Sequence, residues 1–240
     1  MYKLRAYLFV LAFAVSLMAF VPCLLLTVVL PVRFRFYFTR LWIKFVLLSL
    51  HVIGGIKVEL RGLEHMSKTP VIYFIKHQST LEPVILQGLL PPFSWVIKKQ
   101  ILYIPFFGWG MAILRPIAID RKAGSSAITQ VMEQGLELLA SGQSIGVFPE
   151  GTRKAPGSPP KYKIGGGVLA EAADVPVIPI AVNTGLFWPP KSMLIQRPGI
   201  AVLEFGPPMD VSGLSAQEIT DKMQAWIEPA TERLVKEGSG

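Results

Sequence analysis

The sequence has few of the residues that build disulfides and metal sites. It contains one cysteine, Cys23, and three histidines among 240 residues. A single cysteine excludes an intrachain disulfide, and its place inside an apolar run, where a thiolate is disfavoured, argues against a catalytic thiol. The cysteine and the histidines do not occur in the paired spacings of zinc ligands. We therefore predict no metal site.

Acidic residues are also scarce, and the excess of basic residues is confined to one part of the chain. Residues 1–61 hold eight basic residues and one acidic residue, so they carry +7 of the formal net charge of +8. A nucleic-acid-binding protein would normally carry a basic patch on its soluble domain. Here the basic residues flank apolar segments, as expected for contact with anionic lipid head groups. The charge pattern predicts a lipid bilayer as a partner and no nucleic acid.

The N-terminal segment lacks charge over residues 7–30, a run that would span ~30 Å of hydrocarbon as a helix. The run is too long for a cleaved signal peptide, and no small-residue cleavage site accompanies it. Pro22 lies inside the run, where proline bends or breaks a helix. The sequence is therefore compatible with a straight membrane span and with a re-entrant anchor. A second apolar segment, residues 41–53, fits either an interfacial helix or a helix packed on the next domain. We predict that residues 1–55 form a helical membrane anchor.

After residue 55 the pattern changes to short apolar strands that alternate with helical stretches. We predict strands over 56–60, 71–75, 94–97, 116–119, 145–148, 177–182 and 200–205, and helices over 83–90, 125–140, 167–173 and 216–236. Several of these strands are continuous apolar runs, which is typical of strands buried on both faces. The alternation predicts an α/β domain over residues 56–240, with a mixed, mainly parallel sheet flanked by helices.

The first motif that can carry chemistry is H-x4-E, formed by His77 and Glu82 directly after a predicted strand. Pro83 fits the first turn of the following helix, and because a residue before proline avoids the α region, we expect Glu82 in the loop or helix cap. A carboxylate folded back onto an imidazole would fix its tautomer and raise the basicity of its other nitrogen. An isolated pair of this kind is more often a surface histidine and a helix cap, so a second motif is needed.

That second motif is Glu150-Gly151-Thr152-Arg153, which follows another predicted strand. A glycine turn exposes N–H groups, threonine adds a donor, and arginine grips phosphate in a bidentate manner. Basic residues also end two further strands. In a parallel sheet these strand ends converge on the carboxyl edge, where ligands of open α/β sheets bind. The candidate binding residues are therefore Lys98, Arg121, Glu150, Gly151, Thr152 and Arg153.

Two other patterns match known motifs less well. Ser144 lies in a G-x-S-x-G pattern, but here the order is helix, turn, strand, whereas a nucleophile elbow requires strand, turn, helix. Gly165-Gly166-Gly167 precedes a helical stretch and offers N–H groups to phosphate. It lacks the lysine and hydroxyl of a P-loop, so nucleotide binding is a weak interpretation.

The two motifs, with two further blocks, resemble the glycerolipid acyltransferases over residues 71–205. His77 to Glu82 is similar to the H-x4-D block of that family, with Glu82 in place of aspartate, and Phe148 to Arg153 matches its third block. Residues 116–121, which end in Arg121, are similar to the second block, and residues 175–179 match the fourth. The resemblance implies that the fourth block shapes the acyl path or the core.

The resemblance implies a reaction in which an acyl-CoA or acyl-carrier protein donates a fatty acyl group to the sn-2 hydroxyl of 1-acylglycerol 3-phosphate (lysophosphatidic acid). The product is phosphatidic acid. His77 is then the general base and Glu82 orients it, while Arg121, Glu150 and Arg153 hold the head group, with Lys98 as a weaker candidate. No cofactor is implied beyond the donor. The expected location is the cytoplasmic face of a bacterial inner membrane.

Three alternatives stay open on the sequence alone. The first is an enzyme of the same superfamily with another lysolipid acceptor. The second is a membrane-anchored lipid-binding protein without catalysis, against which the presence of both His77 and Glu82 argues. The third is a serine hydrolase, which depends on Ser144.

Overall fold

The computed structural model describes residues 2–120 and 125–239. Arg121 lies outside the described residues, so its predicted role stays a prediction. The described part comprises an N-terminal pair of helices and a seven-stranded sheet with helices on both faces.

The N-terminal pair consists of α1 (Tyr2–Leu26) and α2 (Val32–Val52), joined by a short 3₁₀ turn. Pro22 lies within α1 without ending it. Helix α2 begins earlier than the predicted apolar segment 41–53 and packs on helix α3 (Leu81–Leu89), with Ile43 and Leu50 among the buried residues of α2. Of the described helices, α1 with its 3₁₀ extension (Tyr2–Val29) is the one long and apolar enough to cross a membrane. The division of the chain at residue 55 stays a prediction, because Phe9 and Leu50 also belong to the core under the sheet.

All seven predicted strands are present and form one sheet in the order β1-β7-β6-β2-β5-β3-β4. Strands β2 to β6 run parallel to one another, whereas β7 is antiparallel to β6 and pairs in parallel with β1. The mixed, mainly parallel α/β sheet is therefore confirmed. The strands are β1 (Ile56–Arg61), β2 (Ile72–Ile75), β3 (Phe93–Lys98), β4 (Ile117–Ile119), β5 (Ser144–Val147), β6 (Val177–Val182) and β7 (Gly199–Phe205).

Helices cover the sheet on both sides because its strands are apolar on both faces. Helices α1, α2 and α3 pack on the face that carries Tyr73 and Trp95. The face that carries Phe74 and Val147 is covered by α5 (Ser125–Ala140), α6 (Gly165–Ala173) and α7 (Ala216–Ser239). Among the described residues, the remaining α-helix is α4 (Phe107–Ile113).

Two parts of the sheet bear on the sequence motifs. Ser144 begins β5, and its hydroxyl accepts a hydrogen bond from the backbone N–H of Val71, 3.2 Å away, so it is not at a nucleophile elbow. Residues 177–179 of the fourth family block form the first half of β6, whose residues are all buried, while Val175 and Pro176 precede the strand. That block therefore contributes to the core.

Candidate active site

The carboxyl edge of the parallel strands gathers the residues of both motifs. β2 is followed by His77, β3 ends at Lys98, and β5 leads into the turn with Gly151 to Arg153. These side chains line one cleft of about 390 Å³. The predicted convergence of strand ends at this edge is confirmed for these residues.

His77 is held between a carboxylate and an aromatic ring. Its Nδ1 lies 3.3 Å from Oε2 of Glu82. Its imidazole stacks on Phe148, with ring centroids 3.8 Å apart, and Phe148 stacks in turn on Trp95. The histidine side chain is 16% exposed, whereas the Glu82 side chain is fully buried. With Nδ1 facing Glu82, the other ring nitrogen, Nε2, is available to a substrate hydroxyl.

Glu82 is fixed by more than the histidine. Its carboxylate accepts hydrogen bonds from the backbone N–H groups of Gln78 (3.2 Å) and Ser79 (3.0 Å), and from the hydroxyl of Thr184. These bonds offset the burial of a carboxylate, which is costly without partners. They also leave little freedom for the carboxylate to turn away from the imidazole.

The position of Glu82 corrects one expectation. Helix α3 begins at Leu81, so Glu82 lies in the first helical turn, not in the loop or cap. Pro83 is tolerated as the third helical residue because the first-turn N–H groups have no helical acceptor. The carboxylate reaches back over the helix N-terminus, where negative charge is stabilised by the helix dipole.

The second motif forms a tight turn beside the histidine. Gly151 has φ of +67°, a conformation that favours glycine, and its N–H donates to the carbonyl of Phe148 at 2.9 Å. Thr152 and Arg153 are exposed in the cleft. Arg153 Nη1 donates to Thr80 Oγ1 at 2.7 Å, which holds the guanidinium over the start of α3. The exposed cation and hydroxyl suit an anionic ligand.

Glu150 lies under the cleft. Its side chain is fully buried, Oε1 lies 3.0 Å from Nζ of Lys76, and Oε2 accepts the backbone N–H of His77 at 3.0 Å. Burial raises the pKa of Glu150, and the nearby Lys76 ammonium opposes that rise. A direct substrate contact by Glu150 stays a prediction, and its geometry here is that of a support for the histidine.

The structure reveals residues that the sequence analysis missed. Thr184, which follows β6 at the same sheet edge, could have been found by the strand-end argument that selected His77. Lys76 and Glu228 could not have been found in this way. Lys76 contacts Glu150 and Glu228, which lie 74 and 152 residues away from it in the chain.

An apolar pocket of about 320 Å³ adjoins the cleft. It lies between α1, α2, α3 and α4, and its wall residues include Phe20, Trp42 and Gly110. Four residues line both the pocket and the cleft: Pro83, Trp95, Phe107 and Met111. The almost wholly apolar surface suits an alkyl chain whose reactive end lies near His77.

An α/β sheet with a histidine–carboxylate pair, a cleft with basic residues and an adjoining apolar pocket suits a transferase that acts on lipids. Comparison with known proteins makes this specific, since the family model described as "Acyltransferase" matches residues 57–183. The chain belongs to this acyltransferase family.

Individual relatives agree with the family. The chain is 40% identical over 203 residues to the 1-acyl-sn-glycerol-3-phosphate acyltransferase of Pseudomonas aeruginosa, covering 83% of this chain and 79% of that one. It is 32% identical over 180 residues to the alpha form of the enzyme of that name in Mus musculus, covering 74% and 63%. The crystal structure of the 1-acyl-sn-glycerophosphate (LPA) acyltransferase PlsC of Thermotoga maritima superposes with a TM-score of 0.82, covers 98% of each chain and is 21% identical. That last likeness supports the fold.

Proposed function

We propose that this protein transfers a fatty acyl group from an acyl thioester to the sn-2 hydroxyl of 1-acylglycerol 3-phosphate, forming phosphatidic acid. The observation that carries the proposal is the His77–Glu82 pair at 3.3 Å, facing a cleft that joins basic residues to an apolar pocket. The names of the relatives support the same acceptor.

His77 acts as the general base in this scheme. Nε2 takes the proton of the acceptor hydroxyl as its oxygen attacks the thioester carbonyl carbon. The tetrahedral intermediate then expels the thiolate, which receives that proton from Nε2. Glu82 keeps the proton on Nδ1 and stabilises the transient imidazolium. General base catalysis of this kind contributes about 10²–10⁴-fold.

The acceptor phosphate binds at the Arg153 end of the cleft. Arg153, Thr152 and Lys98 are exposed there, and together they offer two cations and a hydroxyl donor. Arg121, by resemblance, adds to this site. Hydrogen bonds from a charged donor to an ionised oxygen contribute about 1.5–3 kcal/mol each, so the head group is the main determinant of acceptor choice.

The apolar pocket between the N-terminal helices and α4 receives an acyl chain. Its opening is shared with the cleft, so a chain lying in the pocket brings its carbonyl end toward His77. Burial of each methylene contributes about 0.8 kcal/mol. The donor is acyl-CoA or acyl-carrier protein, and no further cofactor takes part.

The N-terminal helices hold the enzyme at a lipid bilayer. The outward side of α1 exposes Leu4, Leu11 and Leu26 at 65%, 60% and 78%, which is more exposed apolar surface than soluble monomers usually carry. The basic residues of α1 and α2 attract anionic lipid. We place the enzyme at the cytoplasmic face of a bacterial inner membrane, where the thioester donors are made.

The test is acyl transfer by detergent-solubilised protein given a labelled acyl thioester and 1-acylglycerol 3-phosphate. We expect phosphatidic acid from the wild type and from His51→Ala, a control at an exposed histidine on α2, and loss of at least about 10²-fold in His77→Ala. If product forms only with another lysolipid, that lysolipid replaces 1-acylglycerol 3-phosphate as the acceptor. No product with any acceptor or either donor would refute the enzymatic proposal and favour lipid binding.

A further inference from the structure

A buried cluster of charges lies beneath the two motifs. Nζ of Lys76 is 3.0 Å from Oε1 of Glu150, and 2.7 Å and 2.9 Å from the two oxygens of Glu228 on α7. The Lys76 and Glu150 side chains are 3% and 0% exposed, and Glu228 is 17% exposed. The hydroxyl of Tyr162, in the loop before α6, donates to Glu228 at 2.9 Å. The cluster thus joins the end of β2, the connection between β5 and α6, and helix α7.

The cluster reaches the histidine through its backbone. Glu150 uses one oxygen for Lys76 and the other for the His77 N–H, at 3.0 Å. The carbonyl of His77 accepts the N–H of Lys154 at 2.7 Å, from the segment just after the second motif. The two backbone polar groups of His77 are therefore held by the second motif and by the residue that follows it, and the orientation of Glu150 sets the bond to the N–H.

Stability alone does not explain this arrangement. Burying ions is costly, and a buried ion cluster is often no more stabilising than apolar residues of similar volume. The cluster also holds two carboxylates against one ammonium, which leaves an excess negative charge. Burial raises the pKa of Glu150, as expected for a carboxylate in this environment. Apolar residues in place of the cluster would lack the oriented acceptor that Glu150 offers to the His77 N–H.

We propose that Lys76, Glu228 and Tyr162 are positioning residues for His77, acting through Glu150. Lys76 anchors one oxygen of Glu150, so that the other holds the His77 backbone and the imidazole meets both Glu82 and the substrate hydroxyl. Glu228 on α7 fixes the ammonium of Lys76, and Tyr162 in the loop before α6 fixes Glu228. This proposal rests on the proposed role of His77 as general base.

The test is a cycle of three variants: Lys76→Met, Glu228→Gln and the double variant. Lys76→Met leaves two carboxylates without their cation, whereas the double variant restores the net charge of the wild-type cluster. Because a displacement of ~1 Å in a catalytic group costs ~10²-fold, we expect Lys76→Met to lower kcat by about tenfold to a hundredfold, with KM for the acceptor within about twofold. Adding Glu228→Gln should recover about threefold or more. Lys222→Met, at an exposed lysine of α7, is the matched control.

A spectroscopic signal follows His77 independently of turnover. The chain has three histidines, so ¹³C-histidine labelling gives three ring signals, and His77→Ala identifies the relevant one. We expect that signal to shift in Lys76→Met and to move back toward its wild-type position in the double variant. If the wild type transfers no acyl group to any acceptor, the proposed function fails, yet this signal still tests the positioning.

Either an unchanged kcat or an unmoved His77 signal in folded Lys76→Met overturns the proposal, as does a loss confined to KM. If Lys76→Met does not fold, Tyr162→Phe decides, since it removes only the hydroxyl that holds Glu228. We then expect a fall in kcat of about threefold at constant KM, with a shifted His77 signal. No change in either quantity would overturn the proposal.

Discussion

Replacing Glu82 by glutamine is the sharpest test of the histidine–carboxylate pair. The substitution keeps the size of the side chain and replaces one acceptor oxygen by an NH₂ donor. The wild-type carboxylate accepts bonds from His77 Nδ1, the N–H groups of Gln78 and Ser79, and the hydroxyl of Thr184. A glutamine that keeps its carbonyl on the Thr184 side turns its NH₂ group toward the imidazole. Nδ1 then becomes an acceptor, and the proton moves to Nε2.

The expected magnitude follows from this change of tautomer. With Nε2 protonated the imidazole cannot take a proton from the acceptor, so kcat should fall by about 10²–10⁴-fold, the full range of general base catalysis. The NH₂ group also faces the N–H of Ser79 and leaves it unpaired, at about 1–3 kcal/mol of folding free energy. Glu82→Ala would leave all the buried donors unpaired, a loss comparable with total protein stability of ~5–15 kcal/mol, so glutamine is the cleaner change.

The assay measures kcat and KM in mixed micelles, with thermal unfolding as the check on folding. Glu232→Gln, at an exposed residue of α7, is the matched control and should retain wild-type rates. KM for the acceptor should change little, because Glu82 does not contact the proposed phosphate site. A folded Glu82→Gln variant with kcat within about fivefold of wild type would refute the orienting role.

Three further predictions test other parts of the site. Arg153→Gln should raise KM for the phosphate-bearing acceptor by about tenfold or more with a smaller change in kcat, and an unchanged KM would exclude Arg153 from the head-group site. Gly110→Leu should fill the apolar pocket from α4, because Gly110 lines that pocket and a Cβ there would lie 3.3 Å from Val21 on α1. At about 0.8 kcal/mol per methylene, the loss of two buried methylenes should lower kcat/KM for long donors about tenfold relative to short donors. An equal loss for donors of all lengths would contradict this. Glu150 has a pKa raised by burial above its ordinary 4.5, so its contribution to stability is present below pH 4.5 and is lost as pH rises through the raised pKa. The unfolding temperature of Glu150→Gln should therefore rise relative to wild type as the pH is raised from about 4, and a constant difference would disprove the linkage.

The sheet could be predicted from the sequence because its signal is local. Each strand is a short apolar run, and burial on both faces makes such runs continuous. Helix α4 was missed because Phe107–Ile113 is short and contains two glycines, which weaken the helical pattern. The start of α2 was missed because Arg33, Arg35 and Arg40 interrupt the apolar run. Arg35 is accommodated by the carbonyls of Val28 and Leu30, which no local pattern indicates.

The site was predictable where it lies at strand ends and not where it depends on distant partners. His77, Lys98 and the turn at Gly151 follow strands, and a parallel sheet brings such positions together. The predicted conformation of Glu82 was wrong because the rule for residues before proline is a tendency. Here the carboxylate gains hydrogen-bond donors when Glu82 enters the helix. The apolar pocket was not foreseen, because its walls come from α1, α2, α3 and α4, whose mutual packing the sequence does not specify.

The N-terminal pair of helices, α1 and α2, has two roles, and together they account for the position of the candidate active site beside these helices. Its outward side carries the exposed leucines of α1, and its inward side forms the wall of the pocket through Phe20 and Trp42, whose rings stack 5.1 Å apart. We expect an acyl chain to enter the pocket from the bilayer side of these helices. The far end of that pocket is Trp95, which is fixed by a 2.8 Å bond from its Nε1 to Gln87 and stacks on Phe148, the ring that supports His77. The aromatic stack therefore sets the plane of the His77 imidazole against the wall of the apolar pocket, and a substitution of Phe148 should lower kcat for every donor length, unlike one at Gly110.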